Sequence, residues 1–389
     1  MRMPDRIKSG NTDNSWIGYH LESTISPAYR TPGVCKSKGE SMPDLEMMKK
    51  YLAEYDGPEM NIMEVCGSHT GAIARYGIPG MLSEKIHLIS GPGCPVCVTP
   101  SAYIDRLIEL ALKPDTCVVT FGDLLRVPGS KKSLSQAKGE GAQVQMVYAP
   151  TDMIALAEQK PDTTFVFAAV GFETTMPAYA LLLDEIIRKN LKNVKLLTAL
   201  KTMPEIIDGL MESGARIDAF IAPGHVSVIT GSKKYAPLAA RWNIPFGIAG
   251  FEAVELLTAL YGIVLSRGCG RVMNFYPQVV TETGNTAAQN AVRKYFQPSD
   301  AAWRGLGTVR NSGRVLRAEY EVFDAGSRAL NEDHKMNKAC CCDRILTGAM
   351  RPNECPLFGK ICTPLSPQGA CMVSTEGSCF SWFSSRRTR

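Results

Sequence analysis

The amino-acid sequence predicts an α/β protein in which two parallel-sheet lobes face a cleft and a smaller cysteine-rich domain ends the chain. Three observations carry this expectation. Short apolar runs alternate with helical patterns at the spacing of βαβ units from residue 43 to about residue 265. Polar motifs recur where the apolar runs end. Seven of the thirteen cysteines, from Cys340 to Cys379, fall at the end of the chain.

Residues 1–42 are rich in Ser, Thr, Pro and Gly without periodicity and are expected to form a mobile extension, with Cys35 an incidental thiol. Residues 43–150 form the first α/β domain. Its expected elements are a helix over 44–55, strands running into Cys66 and Cys94, a helix over 101–112, and strands over 116–121 and 144–148. The apolar run Ile86 to Ile89 leads into Gly91-Pro-Gly-Cys94-Pro-Val-Cys97-Val-Thr-Pro100, where Thr99 is placed to cap the next helix and Pro100 to open its first turn. Residues 151–265 form the second α/β domain, with strands over 165–170, 194–200, 219–222 and 246–249 and helices over 177–189, 204–213 and 252–262. Beyond residue 266 the pattern weakens. A helix over 286–296 and a polar link over 298–312 are expected to lead into the C-terminal domain, 266–389.

In a parallel sheet every carboxyl end lies along one edge, where α/β proteins bind their ligands. The strand ends run into Gly122-Asp123, Gly171-Phe172-Glu173, Pro223-Gly224-His225 and Gly250-Phe251-Glu252. Tight turns explain the glycines. They do not explain the acids and the histidine, so Asp123, Glu173 and His225 are candidate binding residues of the cleft.

Composition excludes several classes. No apolar run approaches the twenty or so residues of a membrane span, and the N-terminus lacks the apolar centre of a signal peptide, so a cytoplasmic protein is expected. A net charge of +5, from 43 basic and 38 acidic residues, is too dispersed to predict nucleic-acid binding, and the basic tail around Arg386 is expected to be solvated. In a reducing compartment thirteen cysteines point to metal and redox chemistry instead of a disulfide framework.

The C-terminal thiols occur as Cys340-Cys341-Cys342, Cys355-Pro, Cys362-Thr-Pro, Cys371 and Cys379. Zinc sites bring ligands in close C-x2-C pairs, which this group lacks. Its wide spacings and following prolines favour an iron-sulfur cluster, with a structural zinc module as the alternative. Cys94 and Cys97 have the spacing of a redox dithiol, although half a zinc site has the same spacing. Cys66 is followed by Gly67, Ser68 and His69, which suits a thiolate that binds a metal or attacks a substrate; no third residue of a hydrolytic triad is evident. Cys117 and Cys269 stand in apolar settings and are expected to be core.

With these motifs assembled, residues 43–383 closely resemble the HypD family of hydrogenase formation factors. The resemblance rests on Cys66-Gly-Ser-His69-Thr, the Gly91 to Pro100 segment, Phe121-Gly-Asp123, Gly171-Phe-Glu173-Thr-Thr175, Ala222-Pro-Gly-His225-Val-Ser, Cys362-Thr-Pro and Gly369-Ala-Cys371-Met-Val-Ser. It implies a redox-active scaffold, more than a turnover enzyme, on which the Fe(CN)2CO unit of nickel-iron hydrogenases is built as transient cargo. The implied partners are a HypC-type chaperone and a HypE-type cyanide donor. By the same resemblance Cys66 holds the iron with a HypC cysteine, His69 lies beside it, and Cys94 and Cys97 form a redox pair in the same cleft. A 4Fe-4S cluster falls on Cys340, Cys355, Cys362 and Cys379, leaving Cys341, Cys342 and Cys371 supernumerary. Asp123, Glu173 and His225 are expected to orient cyanide nitrogens and waters. The chain departs from the family in its longer extension, in the third thiol Cys341, and in Asp343-Arg344 where Gly-Glu is usual, so Cys340, Cys341 and Cys342 all compete for the first cluster position. Two other classes stay open: a thiol-disulfide oxidoreductase acting through Cys94 and Cys97, and a small-ligand-binding protein with a zinc module.

Overall fold

A computed structural model describes residues 44–328, 330–335 and 337–385. The expected extension with Cys35 and the basic tail lie outside the described residues. Within them are eleven strands: β1 (Met60–Glu64), β2 (Ile86–Ser90), β3 (Thr116–Thr120), β4 (Val144–Met146), β5 (Thr164–Gly171), β6 (Val194–Lys201), β7 (Ala219–Ala222), β8 (Phe246–Ile248), β9 (Val272–Asn274), β10 (Phe296–Trp303) and β11 (Gly307–Leu316). They form two sheets, ordered β2-β1-β7-β8-β9 and β10-β11-β6-β5-β3-β4. Every pair in the first sheet is parallel. In the second, β3 to β6 are parallel and the β10–β11 hairpin is antiparallel. The predicted mixed α/β class with parallel sheets is therefore observed.

The central strands read as unbroken apolar runs because helices cover both faces of each sheet. Phe165 to Val170 of β5 is buried throughout, with Val166, Ala168 and Val170 in one core cluster and Phe165, Phe167 and Ala169 in another. The helix Leu45–Ala53 packs with Ala253–Leu265 on one face of the first sheet, around Leu52, Leu256 and Leu260.

The two sheets do not divide the chain at residue 150. Of the strands within 43–150, β1 and β2 join the first sheet while β3 and β4 join the second; of those within 151–265, β5 and β6 join the second while β7 and β8 return to the first. Periodicity identifies a strand but not its partner, and this crossing is invisible to it.

Beyond residue 266 three elements were not expected. β9 extends the first sheet, and the expected polar link over 298–312 is most of the β10–β11 hairpin, which closes the second sheet. β10 is an edge strand, so Pro298 is tolerated there and its outer residues are polar, which masks the strand pattern. The capping expectation at Thr99 also fails. Thr99 Oγ1 donates to Pro95 O at 2.8 Å, Pro100 occupies the cap position without a side-chain bond, and the helix Ser101–Ala111 is capped from far along the chain. Ser101 N donates to Asp333 Oδ1 at 3.1 Å and Ala102 N to Glu332 O at 3.1 Å.

The cysteine-rich segment is no separate lobe of packing. Cys340, Ile345, Leu346, Phe358, Cys371 and Cys379 share one buried cluster with Cys94 and Cys97 and with Met63, Phe220 and Phe246 of the first sheet. The hairpin enters the same cluster through Trp303, which stacks on Phe172 at 5.8 Å and donates to Ser312 Oγ at 2.8 Å. Trp303→Ala is expected to cost about 3–5 kcal/mol of stability by removing this fully buried ring. Urea unfolding of the two chains measures it; a loss below about 1 kcal/mol contradicts a structural role for the stack.

Candidate metal centre

Cys66 sits where β1 passes into the helix Gly67–Arg75, in extended backbone (φ −147°, ψ 117°) at the helix N-terminus. The backbone N–H groups of Ser68 and His69 face its sulfur and favour the thiolate, but burial outweighs them and, with the nearby Glu64 and Glu376 carboxylates, pushes the thiol up to about 12. Without a cation the thiol keeps its proton. Glu64 is itself buried: its Oε2 accepts from Cys66 N at 2.9 Å and its Oε1 from the Thr70 hydroxyl, and burial pushes its carboxyl up to about 7.

Because β1 and β2 are neighbours, the dithiol turn is laced to this loop. Gly91 N donates to Glu64 O at 2.8 Å and Gly67 N to Gly93 O at 3.0 Å. A Cβ on Gly93 would stand 2.3 Å from Cys66 N, so only glycine allows this approach. Cys97 N donates to Cys94 Sγ at 3.2 Å, and both thiols are buried, 3% and 0% exposed.

The His69 imidazole turns to the carboxyl end of β8. Its Nε2 donates to Ala249 O (3.2 Å) and Gly250 O (3.0 Å), leaving Nδ1 buried without a partner, and burial lowers it to about 4, so the ring is neutral. It is the His69 backbone that meets Cys66. Phe251 packs against His69 at 4.9 Å and carries the exposed His225 stacked on its ring at 4.2 Å. Glu252, the other acid of the strand-end motifs, is taken by structure: it caps the helix Ala253–Leu265 and accepts from Tyr76 OH at 2.8 Å.

Glu173 is buried beyond β5. Its Oε1 accepts from Met203 N at 2.9 Å, its Oε2 has no partner, and burial pushes it up to about 7. Tyr235, within electrostatic reach of both Glu173 and Cys66, has a buried hydroxyl that is also unpartnered. The neighbouring hydroxyls of Ser227 and Thr230 are turned instead to Pro223 O and Val226 O. Asp123 is exposed after β3 and accepts from Ser374 Oγ at 3.5 Å. Ser374 Oγ in turn accepts from Glu376 N, and Glu376 Oε1 from Ser68 Oγ at 2.8 Å. The segment 374–376 thereby ties the end of the second sheet to the Cys66 helix.

Cys340, Cys355, Cys362 and Cys379 are all buried, and the Cys379 thiol is pushed up by burial and by the charges of Cys342, Cys362, Cys340 and Cys355. Four cysteine thiolates are the donor set a 4Fe-4S cluster takes. Among the described residues no three His, Cys, Asp or Glu groups stand close enough to hold a single ion. Cys340 Sγ lies 3.3 Å from Cys342 Sγ, and the backbone of Gly369 presses so near both that a Cβ there would be 2.6 Å from each. Cys341 turns outward to Ala339 O. Cys371, 0% exposed, lies between Cys342 and Cys97, and these two neighbouring thiols lower its own. Cys342 and Cys371, supernumerary in the sequence, thus lie between the dithiol and Cys340. Their positions follow from the packing of Gly369–Met372 under the dithiol turn, which no spacing rule announces. Cys117 and Cys269 are half-buried and away from this group.

Comparison with known proteins agrees with the resemblance. The HypD family model, described as the hydrogenase formation hypA family, matches residues 45–386. The hydrogenase maturation factor HypD of Azotobacter vinelandii is 42% identical over 361 residues, covering 88% of this chain and 94% of its own. That of Escherichia coli K12 is 38% identical over 365 residues, covering 92% and 97%. A putative hydrogenase expression/formation protein of Methanocaldococcus jannaschii is 41% identical over 336 residues, covering 85% and 93%. No helix among the described residues is long and apolar enough to cross a membrane.

The Glu173 carboxyl, ordinarily near 4.5, is held near 7 in the fold. Ionising it therefore penalises the native state progressively from about pH 4.5 to pH 7, up to roughly 3 kcal/mol. Glu173→Gln is expected to stabilise the chain at pH 8 relative to wild type and to leave it nearly unchanged at pH 4.5. Urea unfolding at the two pH values tests this; an equal gain at both would show that burial does not set this carboxyl.

Proposed function

The chain belongs to the HypD family of hydrogenase maturation factors, and from that premise we propose that it is the scaffold on which the Fe(CN)2CO unit of nickel-iron hydrogenases is assembled. The incoming iron is substrate. Cys66 binds it once its thiol proton leaves, with a cysteine of a HypC-type chaperone as the second thiolate, and cyanide arrives from a HypE-type donor. Soft thiolates suit a low-spin iron with strong-field ligands. The unpartnered polar atoms around this point support the assignment: Tyr235 OH and a protonated Glu173 can each donate to a cyanide nitrogen, while His69 Nδ1 accepts from a bound water. His225, stacked on Phe251 at the exposed side, faces arriving partners.

Cys94 and Cys97 supply two electrons to the iron site as they close to a disulfide, releasing two protons. A 4Fe-4S cluster on Cys340, Cys355, Cys362 and Cys379 would bring single electrons to the far side of the dithiol. The observation that carries the reading is the unbroken thiol series Cys97, Cys371, Cys342 and Cys340, laid against a turn that is hydrogen-bonded to the Cys66 loop. A free-standing thiol-disulfide oxidoreductase fits less well, since a protein disulfide cannot reach thiols buried to this degree.

The test is anaerobic purification with the HypC-type partner, with iron and sulfide content and visible and infrared spectra, for wild type, Cys66→Ala and Cys371→Ala. Wild type is expected to show sulfide and iron in 4Fe-4S proportion with cyanide and carbonyl stretches. Cys66→Ala should keep the cluster and lose the stretches; Cys371→Ala should keep the cluster and slow reduction of the Cys94–Cys97 disulfide at least about tenfold. Zinc in place of iron and sulfide, with no stretches in wild type, overturns the proposal.

A further inference from the structure

Lys201, the last residue of β6, plays no part in the chemistry proposed above. It is 2% exposed, and among the described residues its ammonium has no ion-pair or hydrogen-bond partner. It lies 5.7 Å from the Trp303 ring centre, and the charge acting on it is the like charge of Arg304. Burial and that repulsion push its pKa down to about 7. A buried cation without an anion is a cost the fold carries unless something else neutralises it.

The surroundings provide the space. β11 pairs with β6 only at Gly313–Lys201 and Arg314–Leu200. Farther back the edge of β6 is covered by another segment, which bridges Leu196 through Asp324 and receives Thr198 N on Ser327 Oγ at 2.8 Å. Between hairpin and segment lies a cavity of about 280 Å³, whose lining includes Lys201, Ser299, Arg314, Ser327, Arg328 and Asn331. Three cationic residues and one acid line it: Arg314 Nη1 donates to Asn311 O at 3.2 Å and Gly313 O at 2.7 Å, and Asp300 Oδ1 is taken by Asn311 N at 2.9 Å, which leaves Lys201 and Arg328. The wall also contains Thr198, with a buried hydroxyl that has no partner. Tyr103, contributed by the helix Ser101–Ala111, is turned away to Leu197 O, and Arg304 is held by Thr99 O and Pro128 O with Asp333 3.8 Å away.

We infer that this cavity binds a small oxyanion, a phosphate- or carboxylate-bearing molecule, seated against Lys201 and held at its mouth by Arg328. The anion binds the ammonium form of the lysine, so binding takes up a proton near neutral pH and weakens as pH rises above 7.

Calorimetric titration of the full chain with inorganic phosphate and with malonate tests this, using wild type, Lys201→Met and Arg328→Ala, with thermal melts to report folding. One ion per chain is expected. Lys201→Met should weaken binding about 10- to 100-fold and Arg328→Ala a few-fold. Malonate, fully ionised across the range, should bind up to about tenfold less tightly per pH unit above 7. Binding of phosphate alone identifies a phosphoryl ligand, of malonate alone a dicarboxylate, and of both a site that reads charge. No binding of either ion to wild type at millimolar concentration, or wild-type affinity in Lys201→Met, overturns the inference. Should Lys201→Met fail to fold, undiminished affinity in Arg328→Ala overturns it equally.

Discussion

The adjacency of β1 and β2 in a parallel ladder is the constraint on which the candidate centre depends. Parallel pairing puts both carboxyl ends at one edge, and the hydrogen bonds from Gly91 to Glu64 and from Gly67 to Gly93 then fix the loop of Cys66 against the turn of Cys94 and Cys97. Neither loop could hold this arrangement alone. The C-terminal segment completes it from the other side, with Cys371 against Cys97 and Glu376 on Ser68.

The electrostatics of the centre are those of a protein that disfavours free charge until a guest brings it. Cys66, Glu64 and Glu173 are all pushed toward their neutral forms by burial, and His69 is kept neutral by the same cause. A cation beside Cys66 would change this balance, because the thiolate and the neighbouring Glu64 carboxylate, costly in its absence, would gain an opposite charge. The helix N-terminus at Cys66 contributes in the same direction, with two N–H groups already aimed at the sulfur.

Much of the fold and the position of several candidate site residues were legible in the sequence, and the failures have physical causes. The central strands were readable because burial on both faces leaves only apolar residues, and their ends because Gly and Pro must turn the chain there. Sheet membership was not, since the pairing of β1 with β7 is a long-range choice that no local pattern records. The β10–β11 hairpin escaped because a strand at the edge of a sheet tolerates Pro298 and polar residues. Among the site residues, Cys66, Cys94 and Cys97 stood out by motif, whereas Cys342 and Cys371 take their place from contacts between segments some 270 residues apart, as in the bond of Cys97 to Ala370. Glu252 drew attention for the same reason as Glu173 and proved to be a helix cap.

The interleaving of the two sheets has a consequence for how the chain is made. On the ribosome, β1 and β2 emerge long before β7, β8 and β9, and β3 to β6 emerge before the hairpin that closes their sheet. The helix Ser101–Ala111 waits still longer, for a cap supplied by Glu332 and Asp333. Neither sheet can be completed while the C-terminal third is still being synthesised, so folding is a late, non-local and correspondingly slow event. The thiols of the nascent N-terminal half are exposed for most of that interval.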